Sequence, residues 1–538
     1  MSLRAPWKRL VVWLAFAAVC ISATACTPNS SPVVSRNRIV YGLTLSPSGF
    51  DPHVNQSSEI GIVLRQVYDT LVYRDPDTGQ FVPGLAESWT VSPDQTTYTF
   101  TLKQGVTFHD GTPFNAAAVG TTLARITAPE TRSQAALGLL GPYAGYEISD
   151  DYTISIILAQ PFSPLLDGLS QFYLGIASPA ALNTYSNERY QFNQVGTGPY
   201  IFVEYIPDER IVLRRNPNYA WGPPFYQPPA ANPIEEIEFR FFTDPSTRLT
   251  ALEQGDAQVI GELPPSDARV VVGSSVIDLQ TVRIPGQPDQ FLFNIRQFPT
   301  DNPTFRQALL IGLNRQTIVD NIYQGFSPAA QGPLTPGVQF YLDVSVDQDQ
   351  FDVQQARALI STLGFVDADA NGYWDDPNGD LTLRVLVPPW GEYRQIVQVI
   401  QDQWRTIGVR VEPVAVPDFP SLVSAVDSGD YNLVSLTSYG VDPAFLRTYF
   451  TTDAARNWTG FANAEFDNLM RDAVQQLDPG LRAERYGAIQ QAIMDQALIL
   501  PIRNKVNLIG VSSRVHGLRF DVYGWYPIIY NASYDPSG

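Results

Sequence analysis

The chain has 538 residues, too many for one ordinary domain, and its 44% apolar and 12% aromatic content is too high for a disordered chain. Lys and Arg total 35 against 54 Asp and Glu, a formal charge of −19. This balance excludes the basic surface that binding along nucleic acid needs. Cysteine occurs only as Cys20 and Cys26, which excludes an internal disulfide framework and a Cys-based metal centre elsewhere in the chain.

Residues 1–25 have the three-part pattern of a secretory signal: basic residues, a short apolar stretch and the small residues ATA. The segment is similar to a bacterial lipoprotein signal, in which Cys26 becomes the acylated mature N-terminus. Ordinary cleavage after Ala25 is the alternative. We expect residues 26–37 to form a flexible tether to the anchor, and no later stretch has the length of apolar sequence that spans a bilayer.

Beyond the tether the pattern mixes strands and helices. Alternation of apolar and polar residues predicts half-buried strands, at 97–102 and 154–158. Apolar residues at helical spacing predict helices, at 304–323, 352–363, 393–407 and 463–477. Proline-rich segments predict linkers or long loops, at 222–233 and 332–337. The sequence therefore predicts a mixed α/β protein with at least two lobes.

The sequence carries no motif of a common enzyme class. A P-loop, a G-x-S-x-G elbow and an H-E-x-x-H motif are all missing. The histidines His53, His109 and His516 are scattered and have no evident nucleophile partner. We therefore expect the protein not to be an enzyme.

One segment has the oxygen spacing of a calcium loop. Asp367, Asp369, Asn371 and Asp375 stand at positions 1, 3, 5 and 9, and Gly372 at position 6 permits a sharp turn. Position 12 lacks the glutamate that completes an EF-hand loop. The alternative is a turn in which these side chains bond their own backbone. The sequence leaves open a structural calcium ion at this loop, and no other cofactor is expected.

Several motifs together resemble one protein family. In chain order they are PGLAESW (83–89), YTFTL (98–102), GVTFHDG (105–111), GTGPY (196–200), RNPNY (215–219), RLTALEQGDA (248–257), FRQAL (305–309), LNR (313–315), Trp404, IGV (407–409) and Trp458. Each motif is weak alone. In this order and at these separations they resemble the extracellular solute-binding proteins of family 5, the peptide and nickel group that serves ABC importers.

The resemblance implies a type II periplasmic-binding-protein fold, with two lobes and an extra subdomain inserted in the first. The implied parts are lobe I at 35–72, 196–286 and 502–538, the inserted subdomain at 73–195, and lobe II at 287–501. We expect crossovers near Pro285-Gly286 and Leu500-Pro501 to act as hinges when the lobes close on a ligand.

The resemblance also implies a partner for a peptide's ammonium group. In peptide binders of this family an aspartate late in the second lobe has that role, and the matching segment SYGVDP (438–443) points to Asp442. The alternative role is a helix N-cap, because Pro443 follows at the first helical position. Both roles stay open at this point.

Dipeptide binders of the family also place an arginine just before the helix of Trp404. The segment PPWG (388–391) has none, and the next arginine is Arg394. This departure favours an oligopeptide over a dipeptide. Trp390, with Tyr439 and Trp458, instead offers aromatic walls for peptide side chains or a sugar ring, and core packing is the competing role of a tryptophan.

The loop after the first strand is expected to face the cleft, and it contains Ser46 and Ser48. The favoured hypothesis is an exported, lipid-anchored receptor, held at the outer face of the cytoplasmic membrane or in the periplasm. It captures a peptide and delivers it to ABC permease subunits, and we expect it to be a monomer. An oligosaccharide or other organic solute is the alternative ligand. An extracellular hydrolase and a receptor or chaperone without transport are alternatives from other classes.

Overall fold

The computed structural model of the protein describes residues 37–344, 351–377 and 379–536. The predicted signal, Cys26 and all of the tether except its last residue lie outside the described residues. Within the described ranges, no helix is both long and apolar enough to cross a membrane.

The strands are numbered in chain order: β1 (Arg38–Leu43), β2 (Val72–Arg74), β3 (Phe81–Pro83), β4 (Ala86–Val91), β5 (Thr97–Leu102), β6 (Tyr143–Asp150), β7 (Thr153–Leu158), β8 (Tyr200–Ile206), β9 (Arg210–Arg215), β10 (Glu236–Phe241), β11 (Val259–Ile260), β12 (Ile277–Arg283), β13 (Asp289–Phe293), β14 (Asp375–Asp376), β15 (Gly379–Asp380), β16 (Thr382–Val387), β17 (Arg410–Ala415), β18 (Leu433–Val434), β19 (Ile499–Arg503), β20 (Val506–Ser512), β21 (Val515–His516) and β22 (Ser533–Tyr534).

The α-helices are numbered likewise: α1 (Glu59–Leu64), α2 (Ala116–Thr127), α3 (Ala135–Leu139), α4 (Leu165–Leu169), α5 (Pro179–Thr184), α6 (Asn187–Tyr190), α7 (Arg248–Gln254), α8 (Pro265–Val271), α9 (Pro303–Ile311), α10 (Arg315–Ile322), α11 (Val353–Thr362), α12 (Tyr393–Thr406), α13 (Phe419–Asp427), α14 (Arg447–Phe450), α15 (Ala464–Gln475) and α16 (Pro479–Asp495). Helices and strands thus alternate along much of the chain, and the mixed α/β class expected from the sequence is confirmed.

Two sheets dominate the architecture. A seven-stranded sheet has the order β12-β20-β11-β1-β10-β9-β8, with β1 parallel to both β10 and β11. A five-stranded sheet has the order β17-β16-β18-β13-β19, with β16 parallel to β17 and β18. The inner strands are buried along most of their length, as strands covered on both faces must be.

A separate antiparallel sheet, β4-β5-β7-β6, is built from residues between Ala86 and Leu158. Its buried residues, such as Phe100 and Ile154, belong to the same apolar core as Ile39 and Phe239 of the seven-stranded sheet. The five-stranded sheet has cores of its own on its two faces. The four-stranded sheet therefore packs with the seven-stranded one.

The chain passes twice between the two larger sheets. The first passage joins β12 to β13 through residues 284–288, where a crossover was expected. The second joins β19 to β20 through Asn504 and Lys505, a few residues after the expected position, because Leu500 and Pro501 still belong to β19. The predicted boundaries of the lobes themselves stay a prediction.

Most predicted elements form within a residue or two of their expected ends, among them β5, β7, α11, α12 and α15. In α12, the apolar stripe ends in Trp404, which is fully buried and donates its indole N–H to the Leu309 carbonyl at 3.1 Å. The single helix predicted at 304–323 is wrong. It is two helices, α9 and α10, because Asn314 caps the second one by accepting from the Thr317 N–H.

Candidate functional site

A cavity of about 630 Å³ lies between the elements of the seven-stranded sheet and those of the five-stranded sheet. Its wall combines charged groups of both signs with aromatic rings. The first side contributes residues including Glu59, Arg248, Glu262, Lys505 and Trp525. The second side contributes residues including Asp289, Tyr323, Trp390, Tyr393, Tyr439 and Arg503.

Arg503 and Asp289 form an ion pair in the wall. Arg503 ends β19 and Asp289 begins β13, and Arg503 Nε lies 2.7 Å from Asp289 Oδ2. The guanidinium also lies 3.6 Å from the centre of the Tyr323 ring and donates to Ser327 Oγ at 2.7 Å. These contacts fix a cationic group beside the second passage between the sheets.

Lys505 lies two residues further along, in the passage itself. Its Nζ is 3.7 Å from Glu262 Oε1 and 5.0 Å from the ring centres of both Tyr439 and Trp525. Burial opposes the ammonium charge, but Tyr439 and Glu262 outweigh burial, so the pKa of Lys505 lies above its usual value. Lys505 is therefore a cation held between an acid and two aromatic rings.

Glu59 and Glu262 approach each other around Thr44, just after β1. Glu59 Oε1 accepts the backbone N–H of Thr44 at 2.5 Å and that of Leu45 at 3.2 Å. The Thr44 hydroxyl lies 3.3 Å from the same oxygen and donates to Glu262 Oε2 at 2.6 Å. A hydroxyl with one proton thus stands between two carboxylates.

The two carboxylates have opposite pKa shifts. Burial first, and then the neighbouring Glu262, raise the pKa of Glu59 to about 7. Burial acts on Glu262 in the same direction, but the Lys505 ammonium and the Thr44 hydroxyl outweigh it, and the pKa of Glu262 lies below its usual value. Glu59 is therefore the group of this pair that holds a proton most readily.

Arg248, at the start of α7, supplies a further cation. Its Nε donates to the Phe242 carbonyl at 3.0 Å and its Nη1 to the Glu262 carbonyl at 2.6 Å. Burial lowers the pKa of this guanidinium. Its donors are directed at backbone carbonyls, so Arg248 adds positive charge to the wall and ties α7 to the segment of Glu262.

The profile of the bacterial extracellular solute-binding proteins, family 5 (middle region), matches residues 80–457, which is most of the chain. The chain belongs to family 5. This family consists of solute-binding receptors for ABC transport, which are not enzymes, so the expectation of no catalysis is confirmed. The resemblance drawn from the sequence motifs is confirmed as well.

Relatives extend the match over nearly the whole chain. Di/tripeptide-binding protein 1 of Pseudomonas aeruginosa is 26% identical over 523 residues, covering 92% of this chain and 94% of its own length. Heme-binding protein A of Haemophilus influenzae is 26% identical over 564 residues, covering 98% and 100%. The crystal structure of NikA from Brucella suis in complex with Fe(III)-EDTA has a TM-score of 0.83 at 20% identity, covering 93% and 100%.

The fold match confirms the two-lobed α/β architecture expected for this chain. The names of the relatives refer to different ligands, so membership in family 5 does not identify the ligand. That question depends on the residues of the cavity.

Of the residues predicted to contact the ligand of this family 5 protein, two line the cavity. Trp390 is 38% exposed and its ring lies 6.3 Å from that of Phe419. Tyr439 is 37% exposed, and its ring meets that of Trp525 edge-on at 6.0 Å. Both rings face the cavity with part of their surface uncovered.

The other predicted contacts lie elsewhere. Trp458 is 7% exposed, packs in a core of the five-stranded sheet and borders a separate cavity of about 470 Å³. Arg394 is exposed on the first turn of α12 and is not among the residues that line the large cavity. Ser46 donates to Asp208 Oδ1 at 2.5 Å, and Ser48 accepts from Asn55 Nδ2 at 3.4 Å. The cavity wall instead uses Leu45 from this loop.

Asp442 is not among the cavity residues either. It is 6% exposed, and both of its carboxylate oxygens lie within 3.1 Å of Arg482 Nη2. One of them also accepts the Ala444 N–H at 3.0 Å, so Asp442 caps the short 3-10 helix Pro443–Leu446. The N-cap, which the sequence left open as the alternative, is the role that these contacts describe.

The predicted calcium loop brings together carboxylate oxygens of Asp367, Asp369 and Asp375, all within 4.8 Å of one another. The same groups also bond within the loop: Asp367 Oδ2 accepts the Gly372 N–H at 2.9 Å, and Asp375 Oδ2 accepts the Ala368 N–H at 2.7 Å. Asn371 Nδ2 donates to Asp369 Oδ2 at 3.0 Å. The donor set fits a hard cation, and the turn is also held without one, so calcium stays a prediction.

The charged wall was missed by sequence reasoning. Glu59, Glu262, Arg248 and Arg503 come from four separate segments, and only assembly of the two sheets brings them to one cavity. One signal was available: Lys505 is one of the few lysines of an arginine-rich chain, and it lies beside an expected crossover.

Proposed function

We propose that this receptor encloses a short peptide in the cavity between its two large sheets. The observation that carries the proposal is the cavity wall, which presents carboxylates and cations from both sides together with partly exposed aromatic rings. A peptide carries an ammonium group, a carboxylate and side chains of mixed character. It is a ligand whose charges and apolar parts all find a counterpart there.

The size of the cavity bears on peptide length. A volume of about 630 Å³ falls in the range of pockets that enclose a drug-sized ligand. A peptide of two to four residues belongs to that size class, whereas a long oligopeptide would have to extend beyond the cavity. The missing arginine near Trp390, which favoured an oligopeptide from sequence, has less weight because Arg248, Arg503 and Lys505 supply cations from other segments.

The proposed contacts follow from the chemistry of the wall. Arg503 and Lys505 are positioned for the ligand carboxylate, beside Asp289 and Glu262 that keep both cations in place. Trp390 and Tyr439 are positioned for apolar side chains. A relative named a di/tripeptide-binding protein supports this ligand class.

The experiment is native mass spectrometry of the freshly purified receptor, followed by calorimetric titration with alanine peptides of two to five residues. We expect copurified masses that fragment as short peptides, and the tightest binding at two to four residues. Adducts that differ by the mass of a hexose would instead indicate that the ligand is an oligosaccharide, stacked on Trp390. A protein that holds no peptide and binds none of the series contradicts the proposal.

The cellular setting is part of the proposal. Cys26 would be acylated after removal of residues 1–25, and the tether would hold a monomeric receptor near permease subunits of an ABC importer. Closure uses lobes with the boundaries predicted above, with the second hinge moved to Asn504 and Lys505. Partition of the full-length chain into detergent, lost in Cys26→Ser, tests the anchor. A wild type that stays in the aqueous phase would favour ordinary cleavage after Ala25.

A further inference from the structure

The acidic groups of the cavity wall differ in whether a basic group lies beside them. Asp289 is paired with Arg503, and Glu262 is within reach of Lys505. Only 4% of the surface of Glu59 is exposed. Even so, no ion pair involves Glu59 among the described residues. The two hydrogen bonds that it receives from backbone N–H groups of the described residues, those of Thr44 and Leu45, both end on Oε1.

No cation of the described part of the chain forms an ion pair with Glu59. The ionisable groups nearby are Tyr41, Glu262, Arg248 and Lys505. Tyr41 is buried and burial raises its pKa, so it brings no charge. Arg248 donates to backbone carbonyls, Lys505 contacts Glu262, and Glu262 repels Glu59. A buried carboxylate in this position needs either a proton or an incoming cation.

The backbone of Glu262 has an unfavourable conformation. Its φ is +50°, a left-handed conformation that a residue other than glycine seldom adopts, and its N–H donates to Asn507 Oδ1 at 2.8 Å. Such conformations persist where surrounding structure maintains them, and they concentrate at binding sites. Here the strained residue keeps a second carboxylate beside Glu59 at the cavity wall.

We propose that Glu59, supported by Glu262, binds the ammonium group of the peptide and exchanges its own proton for that group. The inference rests on the proposed peptide function and adds the residue that recognises the amino end. The proton leaves the Glu59 carboxyl for solvent as the ammonium arrives, and no covalent bond of the peptide changes. The raised pKa of Glu59 supports this exchange, because a protonated acid is ready to release a proton near neutral pH.

The test compares an alanine peptide with its N-acetylated form. The probe is the member of the two-to-five-residue series that binds the wild-type receptor most tightly. We expect the wild type to prefer the free amine by about tenfold to a hundredfold, as for a charge-assisted bond in a dry site. In Glu59→Gln, which keeps the shape and removes the charge, the preference falls below about threefold.

The matched control is Glu238→Gln. Glu238 is also a buried glutamate, 5% exposed, in β10 of the seven-stranded sheet, and it pairs with Arg38 and Arg240 away from the cavity. We expect this variant to keep the full preference for the free amine. Loss of preference in both variants would mean that any buried charge has the same effect, which overturns the inference.

A second measurement uses the wild type and does not depend on the fold of a variant. Calorimetric titrations at pH 6.5 in buffers of different ionisation enthalpy report proton exchange. We expect release of more than about half a proton per peptide, and affinity that falls by up to tenfold for each pH unit below 7. Both effects should vanish in Glu59→Gln.

The outcomes separate the two proposals. If the wild type binds none of the series and copurifies with no peptide, the proposed function fails and the inference fails with it. If the wild type binds peptides but releases no proton, or Glu59→Gln keeps the preference for the free amine, the inference alone is overturned.

Discussion

Asp442 and Glu59 are both buried carboxylates at the start of a helical segment, and their surroundings differ. Asp442 faces Arg482, whose guanidinium also lies 5.1 Å from the centre of the Phe340 ring. Glu59 faces another carboxylate and a cavity. Among the described residues Asp442 has a basic partner and Glu59 has no ion-pair partner, so we expect Glu59 to need a proton or a cation from outside.

The comparison shows how burial and pairing together indicate function. A buried acid that forms an ion pair with a base stabilises the protein only as long as both partners are present. A buried acid without a basic partner destabilises the ligand-free protein. The binding of a cation removes this destabilisation and so adds to the affinity. On this reasoning, substitutions near Asp442 should act on stability and substitutions near Glu59 on ligand binding.

The largest effect is expected from Asp442→Asn. The asparagine can still accept the Ala444 N–H, but it leaves the buried Arg482 guanidinium without a counter-charge. We expect the free energy of unfolding in urea to fall by about 3 to 5 kcal/mol. Peptide affinity, measured by calorimetry on the folded variant, should change by less than about threefold because Asp442 does not line the cavity.

The control for this variant is Asp418→Asn. Asp418 caps α13 by accepting the Ser421 N–H at 2.8 Å and is exposed. Because Asn and Asp cap helices about equally well, the loss should be much smaller than in Asp442→Asn. A large loss of peptide binding in Asp442→Asn, with stability preserved, would return Asp442 to the role of ligand residue that the family resemblance implied.

A smaller effect should follow pH through Glu59. The folded protein keeps this proton up to about pH 7, whereas a free glutamate releases it near 4.5. Between these values the folded state binds more protons, so the contribution of Glu59 to stability falls as pH rises. Over the whole window the loss is about 3 kcal/mol.

The measurement is urea unfolding of the peptide-free wild type and Glu59→Gln at pH 4.5, 6 and 7.5. Other groups titrate in both proteins, so the difference between the two isolates Glu59. We expect the free energy of unfolding of Glu59→Gln, relative to that of the wild type, to increase as pH rises. A difference that stays constant with pH would show that Glu59 is already compensated inside the protein, and would remove the contrast with Asp442.

Trp390 belongs to the binding region and should therefore behave like Glu59 rather than Asp442. Its ring is partly exposed on the cavity and lies 6.3 Å from that of Phe419, so Trp390→Ala should lower peptide affinity by about fivefold to thirtyfold with little loss of stability. Calorimetry and thermal unfolding measure the two quantities. Phe192→Ala is the control, because Phe192 is 42% exposed and stacks on Tyr205 at 5.3 Å without lining the cavity. Equal affinities in both variants would contradict a binding role for Trp390.

Local patterns made most of the fold predictable. The alternation in β5 and the apolar stripe of α12 are set within a few residues, and the structure follows them. The break between α9 and α10 was hidden because apolar spacing continues through Gly312, Leu313 and Asn314 while the Asn314 side chain starts a new helix. A periodic pattern cannot reveal a cap whose partners are backbone groups.

The candidate site was less predictable. Trp390 and Tyr439 were found because a large ring in a loop is a visible signal. The contacts of Asp442 depend on Arg482, forty residues away, and the role proposed for Glu59 depends on the absence of such a partner in the described part of the chain. Neither relation is readable from a single stretch of sequence, since pairing is decided by tertiary packing.

The smallest effect concerns the loop of Asp367, Asp369 and Asp375, a cluster of acids that differs from both regions above because it is only partly buried. Calcium sites in extracellular modules are weak, with dissociation constants of about 0.1 to 1 mM. For chelator-treated protein, 5 mM calcium should then add about 1 kcal/mol or more to the free energy of unfolding, measured in urea. Magnesium should add less, because it requires a tighter octahedral shell.

The variant Asp369→Asn should abolish the calcium effect, because it removes one of the three converging carboxylates. Asp453→Asn, an exposed acid outside the loop, should retain it. Equal stability with and without calcium in the wild type would leave the loop as a turn held by its own N–H donors, such as those of Gly372 and Ala368. In that case donors within the loop are enough for its acids, and of these three described regions the buried Glu59 is the one that needs an external cation.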